Sequence, residues 1–213
     1  MKKQALGRLT ALSCFFVLAT LIFALPAKMQ NRSTGDVLIN AENGSSSQKP
    51  KITIQPFIDL SNSSVLHGGG TILVRTSNGV YMSMHAFGLT PGNVVTAWFG
   101  FFNNPNKCAT NPCTPADLSN PDVQGSLVNA TGRIVGPDGT ADFGAFRAVG
   151  DTFGAQSGPG LLDSKKAQIH LAVRSHGPAI LDNPQTLREQ LTMFTGGCPP
   201  NTCATVQLAV HQP

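Results

Sequence analysis

Histidine, arginine and cysteine are the side chains of this 213-residue chain whose types and spacing point to chemistry. His170, Arg174 and His176 have the same parity along one predicted strand, and His211 belongs to a later one. Imidazole rings beside a guanidinium can bind an anion, more strongly below about pH 6.5, where histidine gains charge. If the two strands are neighbours, these four side chains gather as a candidate ligand site. A solvated strand face with ordinary hydrogen-bonded histidines is the commoner arrangement, and the ligand site is the sharper hypothesis.

A metal ion is the second ligand that these histidines suggest. Arg174 repels a cation, and the chain has no HExxH or His-x-His pattern. We therefore assign no metal ligand and no cofactor, and metal binding stays an alternative to anion binding.

Alternation along the strands sets which side chains face the core. In the strand of His170 the aliphatic residues Ile169, Leu171 and Val173 share one parity, which predicts that they are core and that His170, Arg174 and His176 are on the surface. In the last strand one face is aliphatic and the other polar. The aliphatic face holds Val206, Leu208 and Val210, and the polar face holds Thr205, Gln207, Ala209 and His211.

Four cysteines outside the N-terminal apolar run occur in two equal spacings, Cys108 with Cys113 and Cys198 with Cys203. Exported chains meet an oxidising compartment, so we expect disulfide bonds. A short local ring contributes about 2 kcal/mol and a long cross-link about 4–5 kcal/mol. Proximity and turn-forming Pro and Asn residues favour the local pairs Cys108–Cys113 and Cys198–Cys203, which we predict. A cross-pairing and a zinc site of four thiolates are the alternatives.

The sequence contains no recognisable catalytic motif. Gly-x-Ser-x-Gly is absent. The carboxylates lie in turns, where Asp usually caps its own backbone. The sequence thus favours a protein that is not an enzyme, and we name no catalytic residue. A hydrolase without a recognisable motif is the remaining alternative.

The N-terminus is typical of a secretory signal peptide over residues 1–27. Lys2, Lys3 and Arg8 precede an uncharged apolar run over residues 9–25, which Pro26 and Ala27 end. An uncleaved membrane anchor is the alternative, and it would make residues 9–25 the chain's membrane contact. We expect a secreted or periplasmic protein, or one anchored by this segment.

Charge is low once the signal is removed. The whole chain has 15 Lys and Arg against 11 Asp and Glu, a net charge of +4, and charged residues are 12% of it. The predicted signal holds three of the positive charges. No basic patch then supports nucleic-acid binding.

The rest of the chain is predicted to be all-β. Residues 28–50 are rich in Asn, Ser and Gly and suit a flexible linker. Over residues 51–213 short apolar runs alternate with turn signals such as Asn78-Gly79 and Asp138-Gly139. This predicts one antiparallel β-sandwich domain of about eight strands with two cysteine-containing loops. We expect residues 93–102 to be a central strand, and residues 132–135 to form a hairpin with residues 141–148. Residues 186–194 suit a short helix or a strand.

Several strings resemble an uncharacterised group of bacterial exported β-domain proteins. They are Phe102-Asn103-Asn104-Pro105, the residues 169–178 (IHLAVRSHGP), Gly196-Gly197-Cys198-Pro199-Pro200, and residues 206–211 (VQLAVH). The resemblance covers about residues 70–213 and implies an exported single-domain protein without implying a chemistry. A fainter resemblance is to chordin-type (CHRD) domains, through residues 88–92 and the strand of His170. That family tends to have His-x-His there, whereas this chain has one histidine between Ile169 and Leu171.

Together these observations favour an exported, non-enzymatic, extracytoplasmic binding or structural domain. The residues name no ligand and no partner.

Overall fold

The computed structural model describes residues 49–213. The predicted signal peptide over residues 1–27 and nearly all of the predicted linker over residues 28–50 lie outside this range. Eleven strands occur in the described part of the chain, and eight of them have five or more residues. The strands are β1 (Lys51–Gln55), β2 (Ile58–Asp59), β3 (Ser64–Val65), β4 (Gly70–Thr76), β5 (Gly79–Ala86), β6 (Asn93–Phe102), β7 (Gly125–Ile134), β8 (Ala141–Ala148), β9 (Ala155–Ser157), β10 (Gln168–Pro178) and β11 (Ala204–His211).

The strands form two antiparallel sheets that pack face to face as a β-sandwich, as predicted. The four-stranded sheet has the order β1-β4-β5-β8, and the seven-stranded sheet has the order β3-β2-β11-β10-β6-β7-β9. The core between them holds Leu73, Met84 and Phe143 from the smaller sheet and Phe99 and Leu171 from the larger one. The apolar strand β6 lies between β10 and β7, which confirms the prediction of a central strand.

The predicted hairpin between residues 132–135 and 141–148 is wrong in its pairing. Both strands and the turn exist, but β7 pairs with β6 and β9, whereas β8 pairs with β5. The turn therefore crosses from one sheet to the other. Backbone bonds hold this crossing beside the β5–β6 connection, with Val135 N donating to Asn93 O at 2.9 Å and Leu89 N donating to Gly139 O at 3.0 Å. A turn signal predicts that the chain reverses, and it does not specify which strands then pair.

The outer face of the larger sheet is covered as well. At one end the first cysteine loop, residues 103–124 with two 3-10 helices, packs Cys113 and Val123 against Phe102. At the other end lies the helix α1 (Pro184–Thr192), whose N-terminus is capped by Asn183 Oδ1 accepting from Thr186 N at 3.1 Å. The second cysteine loop, residues 193–203, follows it. β6 and β10 are therefore buried on both faces, by the smaller sheet on one side and by the loops and α1 on the other.

Both predicted disulfide pairings are confirmed. Cys108 bonds to Cys113, with Cα atoms 5.3 Å apart, and Cys198 bonds to Cys203, with Cα atoms 5.2 Å apart. Two such pairs are consistent with an extracytoplasmic location.

Candidate functional site

The four residues predicted to form a ligand site do not gather on one wet face. β10 and β11 are neighbours, as the prediction required, but His211 pairs with Ile169 and Ala209 pairs with Leu171. Residues directly opposite in an antiparallel pair point to the same face. Because Ile169 and Leu171 are core residues, His211 points into the core, on the opposite face from His170.

The same register overturns the prediction for the last strand. Gln207, Ala209 and His211, assigned to the polar face, are buried, whereas Val206, Leu208 and Val210 are half-buried. The prediction took three aliphatic residues as the mark of the inward face. The register with the partner strand decides the inward face instead, and it places Gln207, Ala209 and His211 there.

For β10 the prediction was half right. Ile169, Leu171 and Val173 are fully buried core residues, as expected. His170 and His176 are not on the surface, because their exposed fractions are 5% and 0%. The cysteine loops that cover them are distant in sequence, so the alternation pattern carries no sign of them.

His170 lies under the first cysteine loop. Its Nε2 is 2.7 Å from Gln168 Nε2, its ring centroid is 4.5 Å from that of Phe102, and Gln168 Oε1 accepts from Cys113 N at 3.2 Å. Burial lowers the pKa of His170 to about 4. The ring is therefore neutral at physiological pH and offers no charge to an anion.

His211 is the buried histidine of the core. Its Nδ1 is 2.7 Å from Thr53 Oγ1 and its Nε2 is 2.7 Å from Thr71 Oγ1. The Thr71 hydroxyl donates to Gln55 O at 3.1 Å, so it accepts from His211 Nε2–H. Burial, with smaller effects of the nearby Arg75 and His170, lowers the pKa of His211 to about 4. This ring joins the two sheets by hydrogen bonds.

Arg174 holds the second cysteine loop. Its Nε donates to Phe194 O at 2.6 Å, Nη2 donates to Cys203 O at 3.3 Å, and the guanidinium lies 4.0 Å from the centroid of the Phe194 ring. Its pKa is lowered by burial. The donors are occupied by the loop, so Arg174 has a positioning role toward residues 194–203.

His176 lies beneath the same loop, between a hydroxyl and a disulfide. Its Nε2 is 2.9 Å from Thr96 Oγ1, and its Nδ1 is 3.1 Å from Gly196 O and 3.3 Å from Cys203 Sγ. Since a carbonyl only accepts, Nδ1 carries the proton, and Nε2 accepts from the Thr96 hydroxyl, which itself accepts from Trp98 Nε1 at 2.6 Å. Burial is the main cause of the lowered pKa of His176, with a smaller effect from Arg174. A neutral ring thus presents an N–H to a disulfide sulfur.

The ligating atoms of His176, Cys198 and Cys203 all lie within 4.8 Å of one another. The two sulfurs are bonded to each other, so neither is a thiolate in this form. Metals bind the thiolate, and the oxidised cluster therefore supplies a single imidazole.

A separate groove opens at one end of the sandwich, between loops of the two sheets. It has a volume of about 530 Å³ and lies between the β5–β6 connection, the β2–β3 turn and the beginning of β11. Its apolar lining consists of Leu60, Leu66, Phe87, Leu89, Val95 and Val206.

Gln207 gives this groove its polar feature. The side chain is 4% exposed and lines the groove. Its Nε2 donates to Phe87 O at 2.6 Å, which fixes the orientation of the amide, and its Oε1 has no hydrogen-bond partner among the described residues. A buried acceptor without a partner costs about 1–3 kcal/mol, so its presence in a native fold calls for an explanation, of which a functional role is one.

Sequence reasoning missed this groove because it placed Gln207 on a solvated face. The signal that could have found it is the register of β11 against β10, and that depends on pairing between strands, not on the alternation within one.

Comparisons with known proteins give no match: no family model, no curated protein and no solved structure is similar to this chain. Within residues 49–213 no helix has the length and apolar character needed to cross a membrane.

Proposed function

We propose that this protein is an exported, non-enzymatic, extracytoplasmic binding domain whose groove takes an apolar group that carries an N–H or O–H donor. The observation that carries the proposal is a groove of about 530 Å³ lined by the buried Gln207, whose Oε1 has no hydrogen-bond partner among the described residues. Ligand pockets of this size are mostly apolar, with a few polar groups that fix orientation.

Charge in the groove favours a neutral or cationic ligand. Among the described residues that line it, Asp59 is the one charged side chain. Hydrogen bonds from Ser61 lower the pKa of Asp59 and keep it ionised at neutral pH. An anion is disfavoured beside this carboxylate, so the proposal replaces the anion expected at the histidines of β10.

Two observations support export. The two disulfides suit an oxidising compartment, and the charged and apolar layout of residues 1–27 suits a signal peptide. We therefore propose a secreted or periplasmic location, with anchoring through residues 9–25 as the alternative. N-terminal sequencing of exported protein distinguishes the two, because a chain that begins near Lys28 supports cleavage and an intact Met1 in the membrane supports the anchor.

The groove is tested with three probes that share one apolar ring and differ in charge: benzylamine, benzyl alcohol and benzoate. Each is titrated into the oxidised protein and followed by amide chemical shifts. We expect the amine and the alcohol to shift the amides that line the groove, Thr90 and Gln207 among them. Benzoate should bind at least about tenfold more weakly. Equal binding of benzoate contradicts the proposal.

Two variants separate the polar contacts. Gln207→Leu removes the acceptor and should weaken both the amine and the alcohol by about tenfold, the effect of one lost hydrogen bond. Asp59→Asn should weaken the amine alone. Asp122→Asn, at an exposed carboxylate of the first cysteine loop outside the groove, is the matched control and should change neither. Unchanged binding in Gln207→Leu rejects the role of Gln207.

A further inference from the structure

The two disulfides of this chain have the same spacing and different chemical surroundings. Around Cys108–Cys113 the near groups are acceptors and a negative charge. Cys113 Sγ is 3.7 Å from Pro105 O, and the carboxylate of Asp117 accepts from Ala109 N at 2.9 Å and from Thr114 N at 2.7 Å. A thiolate formed here would be repelled.

Cys198 Sγ likewise has a carbonyl near it, Gly196 O at 4.0 Å, but around Cys203 the near groups are a donor and a positive charge. His176 Nδ1 carries its proton 3.3 Å from Cys203 Sγ, and the Arg174 guanidinium donates to the carbonyl of Cys203 at 3.3 Å. Thiolates are stabilised by neighbouring cations and hydrogen-bond donors. Stabilising the reduced form makes a disulfide more oxidising.

We propose that Cys198–Cys203 is a redox site that exchanges with an external dithiol, with Cys203 as the leaving sulfur and His176 as its hydrogen-bond donor, while Cys108–Cys113 is a structural bond. Both cysteine residues of the site are half-buried, and the residues between them include the exposed Pro199 and Pro200. An attacking thiol can therefore approach Cys198 from the solvent side of the loop.

The exchange balances as follows. The thiolate of the dithiol attacks Cys198 Sγ, a new S–S bond forms, and the Cys198–Cys203 bond breaks. Its electron pair goes to Cys203 Sγ, where the Nδ1–H of His176 stabilises the thiolate. The second thiol of the partner loses its proton to solvent and attacks the mixed disulfide, which releases Cys198 as a thiolate. The site gains two electrons, and the partner dithiol becomes a disulfide.

His176 is positioned for this step by buried groups outside the loop. Thr96 Oγ1 lies 2.9 Å from Nε2 and accepts from Trp98 Nε1 at 2.6 Å. Gln190 fixes the backbone at this point, since its Nε2 donates to His176 O at 3.3 Å. The ring is 0% exposed, so its N–H is directed at Cys203 and at Gly196 O rather than at water.

The test compares the two disulfides in the same folded protein. The oxidised chain is equilibrated at pH 7 with mixtures of reduced and oxidised glutathione, free thiols are trapped by alkylation, and the cysteine peptides are measured by mass spectrometry. An equilibrium is used because burial of Cys113 slows attack without changing the equilibrium. The position of each equilibrium is given by the ratio [GSH]²/[GSSG] at which half of that disulfide is reduced. We expect this ratio to be at least tenfold lower for Cys198–Cys203 than for Cys108–Cys113. Half-reduction of both at the same ratio, or of Cys108–Cys113 first, overturns the proposal.

Variants at one position test the donor. His176→Leu removes the N–H and should raise the ratio needed to reduce Cys198–Cys203 by about tenfold, which is about 30 mV for a two-electron couple. His176→Asn keeps an N–H near the position of Nδ1 and should stay within about threefold of the unmodified protein. Cys108–Cys113 is the internal control and should not change. A shift of both disulfides in His176→Leu, or of neither, rejects the role of His176. If His176→Leu does not fold, the Asn variant and the unmodified protein still decide, because a tenfold loss in the Asn variant counts against the donor.

Discussion

Arg75 is a fully buried arginine without a carboxylate partner among the described residues, and replacing it should weaken the sandwich strongly. Its guanidinium donates to four backbone carbonyls. The acceptors are Ser164 O at 2.6 Å, Ala167 O at 2.9 Å, His211 O at 3.2 Å and Gln212 O at 3.2 Å. Arg75 belongs to the smaller sheet, and β11 with the connection before β10 belongs to the other side of the core. One side chain thus joins both layers.

The magnitude follows from two opposing effects. Burial lowers the pKa of Arg75 to about 10, which corresponds to a cost of about 3 kcal/mol for the charged form. Four hydrogen bonds to a charged donor stabilise by about 1.5–3 kcal/mol each and exceed that cost. Arg75→Met loses the bonds and leaves three buried carbonyls without this donor, while the carbonyl of the exposed Gln212 can turn to water. The two effects differ by about 3–9 kcal/mol, and we expect the free energy of unfolding to fall by about 3–5 kcal/mol, the lower part of that range.

Urea unfolding of the oxidised protein measures this loss, and thermal unfolding should show a decrease of roughly 10 °C in midpoint for a domain of this size. Arg133→Met is the matched control, since Arg133 is exposed on β7, and it should change stability by less than about 0.5 kcal/mol. Arg75→Lys keeps the charge but cannot reach four carbonyls, so it should remain clearly destabilised. An Arg75→Met protein within about 1 kcal/mol of the unmodified one refutes the reasoning.

Three further expectations concern packing and pH. Gly132→Ala should lower the free energy of unfolding by about 1–3 kcal/mol, because the added Cβ would lie 2.3 Å from Leu191 O. Gly144→Ala is the control and should be neutral, because the atom nearest to its added Cβ is 3.9 Å away. The urea midpoints of the two variants check this. Leu171→Ala should cost about 2–5 kcal/mol by the same measurement, because Leu171 is fully buried. His211 should lower the free energy of unfolding by about 3 kcal/mol as the pH drops from 6.5 to 4. The reason is that its pKa is lowered to about 4 in the folded protein, so the unfolded chain takes up the proton at a higher pH than the folded one. His211→Gln should flatten unfolding curves measured across that window, and an unchanged slope counts against the burial of His211.

The strands could be predicted from the sequence, and the faces only in part. Alternation gave the core residues Ile169, Leu171 and Val173 of β10 correctly, because three aliphatic side chains of one parity require an apolar face. For β11, alternation predicted the inward and outward faces in reverse. Parity states which residues share a face, and the register with β10, where Ala209 is opposite Leu171, states which face is inward.

The candidate sites depend on contacts between segments far apart in the chain. His176 and Cys203 are 27 residues apart in sequence, and they come within hydrogen-bond distance because the fold places the second cysteine loop beside β10. The groove likewise needs Gln207 to meet the carbonyl of Phe87, 120 residues away. Local spacing rules detect the disulfide pairs, which are five residues apart, and have no access to either long-range contact.

The place of β11 in the larger sheet has a consequence for how the chain is made. β11 lies between β2 and β10, and it is the last of the described strands to leave the ribosome. Until residues 204–211 have emerged, β2 and β10 lack their common neighbour, and Arg75 lacks the acceptors His211 O and Gln212 O. The larger sheet and the contacts that join it to Arg75 can therefore be completed only after residues 204–212 have been made.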